Sequence, residues 1–272
     1  MLVEDNLIEH CCWHDAERMY ESAGVKFHHA RNMLFRRNVI RHLPHGCGVW
    51  LDCGNINDRI TANTFADIAS VSGAIHFEGN HDANRADHNI VFDSRTQPGQ
   101  PERPGSPFPV WGGRGIYIQG TDKTTIDHNF IAATQGAGFR CDIIAKRIIG
   151  ARGGTARGNR FTDNLLIGSD KAAIEMENDH NFVDGNLYAN MPRGFLRLEL
   201  PDFPEYLDLP TWREFHHWDR RSAEGTLKVE CCHKSLIVTV TAVGKSPHLL
   251  AGCKPGPFGK LTGSFAADPR KK

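Results

Sequence analysis

The apolar positions of this chain recur in short alternating sets, an inward residue, an outward one, a second inward residue and a polar one. They are Val25-Lys26-Phe27-His28, Val49-Trp50-Leu51-Asp52, Ile75-His76-Phe77-Glu78, Ile116-Tyr117-Ile118-Gln119, Phe139-Arg140-Cys141-Asp142, Ile174-Glu175-Met176-Glu177 and Leu196-Arg197-Leu198-Glu199. Strand alternation sends the first and third members of each set to one face and the second and fourth to the other. A second pattern, apolar-x-x-Asn-x-apolar, runs between these sets. It places an asparagine at positions 6, 38, 63, 129, 164 and 186, with a weaker copy at 89. The intervals are 32, 25, 26, 40, 35 and 22 residues. The short ones suit a single coil of three strands and three turns, and the long ones a coil with an insertion.

These two registers predict an all-β chain, a right-handed parallel β-helix over residues 1–200. Residues 94–113, rich in Pro and Gly, read as one surface insertion and residues 143–157 as another. The asparagines have a structural reason. Where the backbone leaves a strand ladder its amides need other partners, and asparagine carries both a donor and an acceptor and tolerates the left-handed conformation. Stacked at one corner, Asn38, Asn63 and Asn89 are expected to bond to the coils above and below.

The outward positions form two columns. One is Lys26, Trp50, His76, Tyr117, Arg140, Glu175 and Arg197; the other is His28, Asp52, Glu78, Gln119, Asp142, Glu177 and Glu199. An aromatic and histidine column beside a carboxylate column suggests a groove that stacks sugar rings and holds acid–base groups. Asp52 and Glu78 stand 26 residues apart, one coil, and adjacent strands lie about 4.7–4.9 Å apart. Retaining glycosidases need two carboxyl groups about 5–5.5 Å apart, so this offset suits such a pair. Repulsion between the two is expected to raise one pKa and leave an acid beside an ionised carboxylate.

The run Met19-Tyr20-Glu21-Ser22-Ala23-Gly24-Val25-Lys26-Phe27-His28-His29, with Gly48-Val49-Trp50-Leu51-Asp52, Gly73-Ala74-Ile75-His76-Phe77-Glu78 and Asp87-His88-Asn89-Ile90, resembles the β-helical β-xylosidases of glycoside hydrolase family 120. The resemblance is strongest over residues 4–93 and becomes general β-helix similarity up to about 200. It implies a retaining mechanism, with Asp52 at the nucleophile position and Glu78 at the acid/base position. Family members are longer and carry upstream sequence. Here the first coil starts within six residues of Met1, so an N-terminal covering domain or a homo-oligomer partner is expected over that end.

Around the pair, His28 is expected to bond either substrate or Asp52, His76 to contact substrate, and Trp50 to stack on a sugar face. Tyr117 and Gln119, one coil beyond, are further substrate-binding candidates, and Glu17 and Asp15 are candidate hydroxyl ligands. Lys plus Arg equal Asp plus Glu at 32 each, which gives no electrostatic case for nucleic acid. No apolar run is long enough to span a bilayer, and the first residues do not read as a signal peptide. No nucleotide fingerprint and no metal-ligand spacing is present, so no cofactor or metal is expected. The eight cysteines read as mostly reduced thiols, which points to the cytoplasm.

Residues 201–272 are expected to form a C-terminal capping extension. A helix with proline in its first turn is predicted over Pro210–Trp218, and strands near 227–231 and 236–241. Trp212, Phe215 and Trp218 are expected to cover the last apolar coil. The leading functional expectation is a glycoside hydrolase acting on an oligosaccharide. A polysaccharide lyase and a non-catalytic carbohydrate-binding solenoid are the alternatives, which fold alone does not separate.

Overall fold

The computed structural model describes residues 1–14, 22–97, 112–149, 152–177, 179–192, 196–199, 204–243 and 263–270. Three long sheets run side by side along the chain. The first holds Leu2–Glu4, Leu34–Arg36, Arg59–Thr61, Asn84–Asp87, Thr124–Asp127, Arg160–Thr162 and Phe182–Asp184. The second begins with Leu7–Glu9 and Val39–Leu43 and ends with Ala223–Gly225, and the third carries the alternating sets described above. Successive coils pair in parallel in each sheet, and Val49, Trp50, Leu51 and Asp52 oppose Ile75, His76, Phe77 and Glu78 residue for residue. The inward residues of all three sheets form one continuous core, including Phe35, Ile60, Phe65, Ile75, Phe77, Ile116 and Ile118, all fully buried.

The asparagine corner joins the first sheet to the second. Nδ2 of Asn6, Asn38, Asn63, Asn89, Asn129 and Asn164 each donates to Oδ1 of the next asparagine, at 2.9–3.1 Å, ending on Asn186. The backbone N–H of the same residue donates to the same oxygen, for example Asn38 N to Asn63 Oδ1 at 2.9 Å. The amide that leaves the ladder at each turn is thereby satisfied inside the protein, where an unpaired group is costly.

The C-terminal segment divides between the end and the flank of the solenoid. Leu209–His216 is a helix, capped by Asp208, whose carboxylate accepts the Thr211 N–H at 2.8 Å. Trp212 and Trp218 join the main core, whereas Phe215 is 64% exposed and covers nothing. The strands Leu227–Cys232, Ile237–Ala242 and Gly263–Ala266 form an antiparallel sheet. They do not close the end as expected. Leu227, Val238 and Val240 pack instead on Val39, Phe92, Phe130 and Leu165, on the outer face of the second sheet. The reason lies in that face, whose outward positions are apolar enough to require a cover. The insertion expected at 143–157 is an antiparallel pair, Ile144–Ile149 with Arg152–Gly154, while 98–111 lie outside the described residues.

Candidate active site

The third sheet sets the geometry. Its outward columns have the register expected, with Lys26 opposite Trp50, Trp50 opposite His76, His76 opposite Tyr117, and Asp52 between His28 and Glu78. Gln119 follows Glu78, and Asp142 follows Gln119. The turn that follows Asp52 and Glu78 is fixed by a second ladder, which sequence reasoning missed. Asn55 Nδ2 donates to Asn80 Oδ1 at 3.1 Å and to the carbonyl of Asp52 at 3.1 Å, and Asn80 N–H donates to Thr121 Oγ1. The signal was available as Gly54-Asn55 and Gly79-Asn80, one pair per coil. Both glycines have positive φ, 72° and 62°, where a side chain would be strained.

The column of rings differs from the expected groove floor. Trp50 is 3% exposed, His76 0% and Tyr117 1%. Trp50 stacks on His76 with centroids 5.0 Å apart, and His76 on Tyr117 at 4.7 Å. The Lys26 ammonium sits 3.7 Å above the Trp50 ring and the Arg114 guanidinium 4.7 Å from the Tyr117 ring. Each ring therefore spends its faces on its neighbours, so the expected stacking of a sugar on Trp50 does not fit this arrangement. Neither nitrogen of His76 makes a hydrogen bond of full geometry, although Gln119 acts on the ring. Burial pushes His76 down to about 3, and the neighbouring Arg114 and Lys26 charges add to this against the pull of Asp52. The ring is neutral at ordinary pH.

Beside this stack, Asp52 and Glu78 are each 6% exposed. Asp52 Oδ2 lies 2.9 Å from Lys26 Nζ and 2.9 Å from His28 Nε2, and its Oδ1 accepts from the Cys53 thiol at 3.1 Å. Burial alone would raise the Asp52 carboxyl, but these hydrogen bonds and the Lys26 and His28 charges outweigh it and hold it below its ordinary value. It is an ionised carboxylate in a nearly dry position. His28 takes the second of its two expected roles, bonding Asp52, with its side chain half exposed at the rim.

The remaining candidates separate from the pair. Tyr117 donates to Asp142 Oδ2 at 2.9 Å, and Arg140 binds both Asp142 and Glu175, so this part of the columns is a closed ionic network. Gln119 is half-buried next to Glu78. Glu17 and Asp15 lie outside the described residues. Lys26 is the partner of Asp52 that sequence reasoning missed. Its place opposite Trp50 and diagonal to Asp52 was legible in the strand register.

A family model described as a right handed beta helix region matches residues 2–131. No curated protein and no solved structure matches the chain. The parallel sheets and this match agree: the chain is a right-handed parallel β-helix, a fold of carbohydrate-related, pectate-lyase-like proteins.

Proposed function

We propose that this chain is a retaining glycoside hydrolase acting on β-xylosides or similar oligosaccharides, with Asp52 as nucleophile and Glu78 as acid/base. One observation carries the reading. Two carboxyl groups oppose each other on adjacent coils, both almost buried, and Asp52 is held ionised by the Cys53 thiol and Lys26, with His28 beside them. The strand spacing of about 4.7–4.9 Å is near the separation of a retaining pair. In the first step Asp52 attacks the anomeric carbon, the glycosidic C–O bond breaks, and the Glu78 proton passes to the leaving oxygen. In the second, the Glu78 carboxylate takes a proton from water. The water oxygen forms the new bond to the anomeric carbon, and the ester to Asp52 breaks. In this reading Gln119 and the exposed edge of His28 bind sugar hydroxyls, while Trp50, His76 and Tyr117 back the site and keep water from it. A lyase would need Lys26 or Arg140 as its base. Both are engaged as cations, Lys26 by Asp52 and Arg140 by Asp142 and Glu175, which favours hydrolysis.

The test is nitrophenol release from a nitrophenyl β-xyloside, with the configuration of the product read by proton NMR. Asp52→Ala should abolish turnover and be rescued by azide to the inverted azido sugar. Glu78→Ala should be rescued with retained configuration. An inverted wild-type product, or near-normal activity of Asp52→Ala, overturns the mechanism. An unsaturated product from a uronate polymer favours the lyase, and binding without turnover the non-catalytic solenoid.

A further inference from the structure

A cavity of about 630 Å³ lies on a different face from Asp52 and Glu78, between the outer side of the second sheet and the edge strand Leu227–Cys232. Its floor has a specific origin. The coils of the second sheet carry one residue each in the left-handed conformation at the same register: His10, His42, Asp67, Asp93, Ala133, Gly168 and then Asn190, whose side chain bounds the far end of the cavity. In the lower coils this position holds large side chains, and His42 Nδ1 meets Asp67 Oδ2 at 2.7 Å. At Ala133 and Gly168 the column loses its side chains. A Cβ built on Gly168 would meet no atom within 4 Å, so the notch is open space. Asp93, whose Oδ2 lies 3.4 Å from His233 Nε2, closes one end.

Two residues further along each strand the rim presents one hydrogen-bonding side chain per coil: Arg95, Gln135 and Asp170. Arg95 is held by Asp67 and Asp93, and the Gln135 Oε1 accepts from the Thr96 N–H at 2.8 Å, so the rim offers the remaining guanidinium N–H groups, the Gln135 amide N–H groups and the Asp170 carboxylate. Apolar lining comes from Phe92 and Ile167, beside the floor residues on the second sheet, and from Val229 of the facing strand Leu227–Cys232. A strip with an apolar lining, a bare floor and a polar rim of mixed donors and acceptors matches a saccharide, which carries C–H faces and a hydroxyl edge. The coil spacing of about 4.7–4.9 Å is close to the length of one pyranose residue in an extended chain. A chain lying along the solenoid axis would therefore set one sugar residue against each coil.

The geometry points to a second, non-catalytic binding site for an oligosaccharide of about three residues, one per coil, in this cleft. It stands independently of any catalysis at Asp52 and Glu78. Its role would be to hold a polymeric or long substrate on the protein away from the reacting bond, so that the effective concentration of that substrate at a second site rises.

Calorimetric titration of the full chain, wild type with cellotriose and Asp52→Ala, which does not turn over under the proposed mechanism, with xylose, xylobiose, xylotriose and xylotetraose, tests it. Affinity should rise with each residue up to the trisaccharide and level off at the tetrasaccharide. Ala133→Tyr places a ring in the notch from an exposed position already left-handed, and should weaken trisaccharide binding by roughly tenfold or more. Gln135→Ala, which leaves the floor untouched, should weaken it less. Adding Glu78→Ala to Asp52→Ala should leave this binding unchanged, and cellotriose should bind both as it binds wild type, which separates the site from the proposed active site. Absence of binding of any of these saccharides at millimolar concentration overturns the proposal. So does binding that Ala133→Tyr leaves intact in a protein whose circular dichroism matches wild type.

Discussion

His76 and Tyr117 lie face to face, their centroids 4.7 Å apart and their planes 8° from parallel, both out of reach of solvent. Burial holds His76 down to about 3, below the 6.5 of an unfolded chain. The unfolded state therefore takes up a proton between these values and the folded state does not. The stability tied to neutral His76 is complete above pH 6.5 and is lost as pH falls toward 3. His76→Phe keeps the stack and removes two buried nitrogens that lack full hydrogen bonds. It should stabilise the fold by about 1–3 kcal/mol at pH 7 and by more at pH 5, measured by urea unfolding. Equal gains at both pH values would rule out protonation as the cause.

Lys26 contributes to the depression of Asp52, so its removal should be visible at that carboxyl. In Lys26→Met the Asp52 pKa rises, because the burial that opposes ionisation remains while a hydrogen bond and a charge are lost. Carbon-13 NMR of the Asp52 carboxyl should show the midpoint moving upward, and the acid limb of kcat/KM should move with it. An unmoved midpoint would mean that His28 and Cys53 hold the carboxylate without the lysine.

Much of this architecture is written in the sequence because a solenoid repeats its contacts. Asn38, Asn63 and Asn89 were legible as one corner since each does the same job in its own coil, and the strand register followed from the alternation around Trp50 and Asp52. What the alternation does not encode is which outward positions are covered. Trp50 and His76 point away from the core as expected, yet they are buried, because ring faces that could meet a sugar meet one another and two cations instead. The flank position of Leu227–Cys232 was equally hidden, since the outward apolar residues Phe92, Phe130 and Leu165 belong to three separate coils and form a patch only in space.

The asparagine column should be strongest in its middle. Asn63 accepts from the backbone and side chain of Asn38, and donates to Asn89 and to the carbonyl of Phe35. Asn63→Ala leaves the Asn38 N–H and the Phe35 carbonyl without those partners in the interior. At about 1–3 kcal/mol for each buried group left unsatisfied, the loss should be about 3 kcal/mol or more. Asn6→Ala, at the exposed end of the same column, should cost under about 1 kcal/mol. Thermal unfolding of the two variants compares them directly, and equal losses would show that the column does not act as a buried ladder.

Asp219 ends that column, and its titration should oppose that of His76. Its carboxylate is fully buried and accepts from Tyr188 Oη at 3.0 Å, Trp212 Nε1 at 2.9 Å, Asn186 Nδ2 at 3.4 Å and the Ser222 hydroxyl. Burial raises its pKa to about 6, and these donors keep it from rising further. Because the folded value lies above the unfolded value of 3.8, the stability tied to protonated Asp219 is present below that value and is lost as pH rises through about 6. In wild type this slope and that of His76 offset each other between pH 4 and 6. His76→Phe removes one of them, so its stability should fall more steeply than that of wild type as pH rises from 4 to 6. His76→Phe with Asp219→Asn should lose that added slope, since the amide does not titrate, at the cost of a poorer fit to four donors. Urea unfolding followed by tryptophan fluorescence, to which the core residues Trp212 and Trp218 contribute, gives each stability. If the slope of the double variant equals that of His76→Phe, another group carries the pH dependence and Asp219 is ionised throughout.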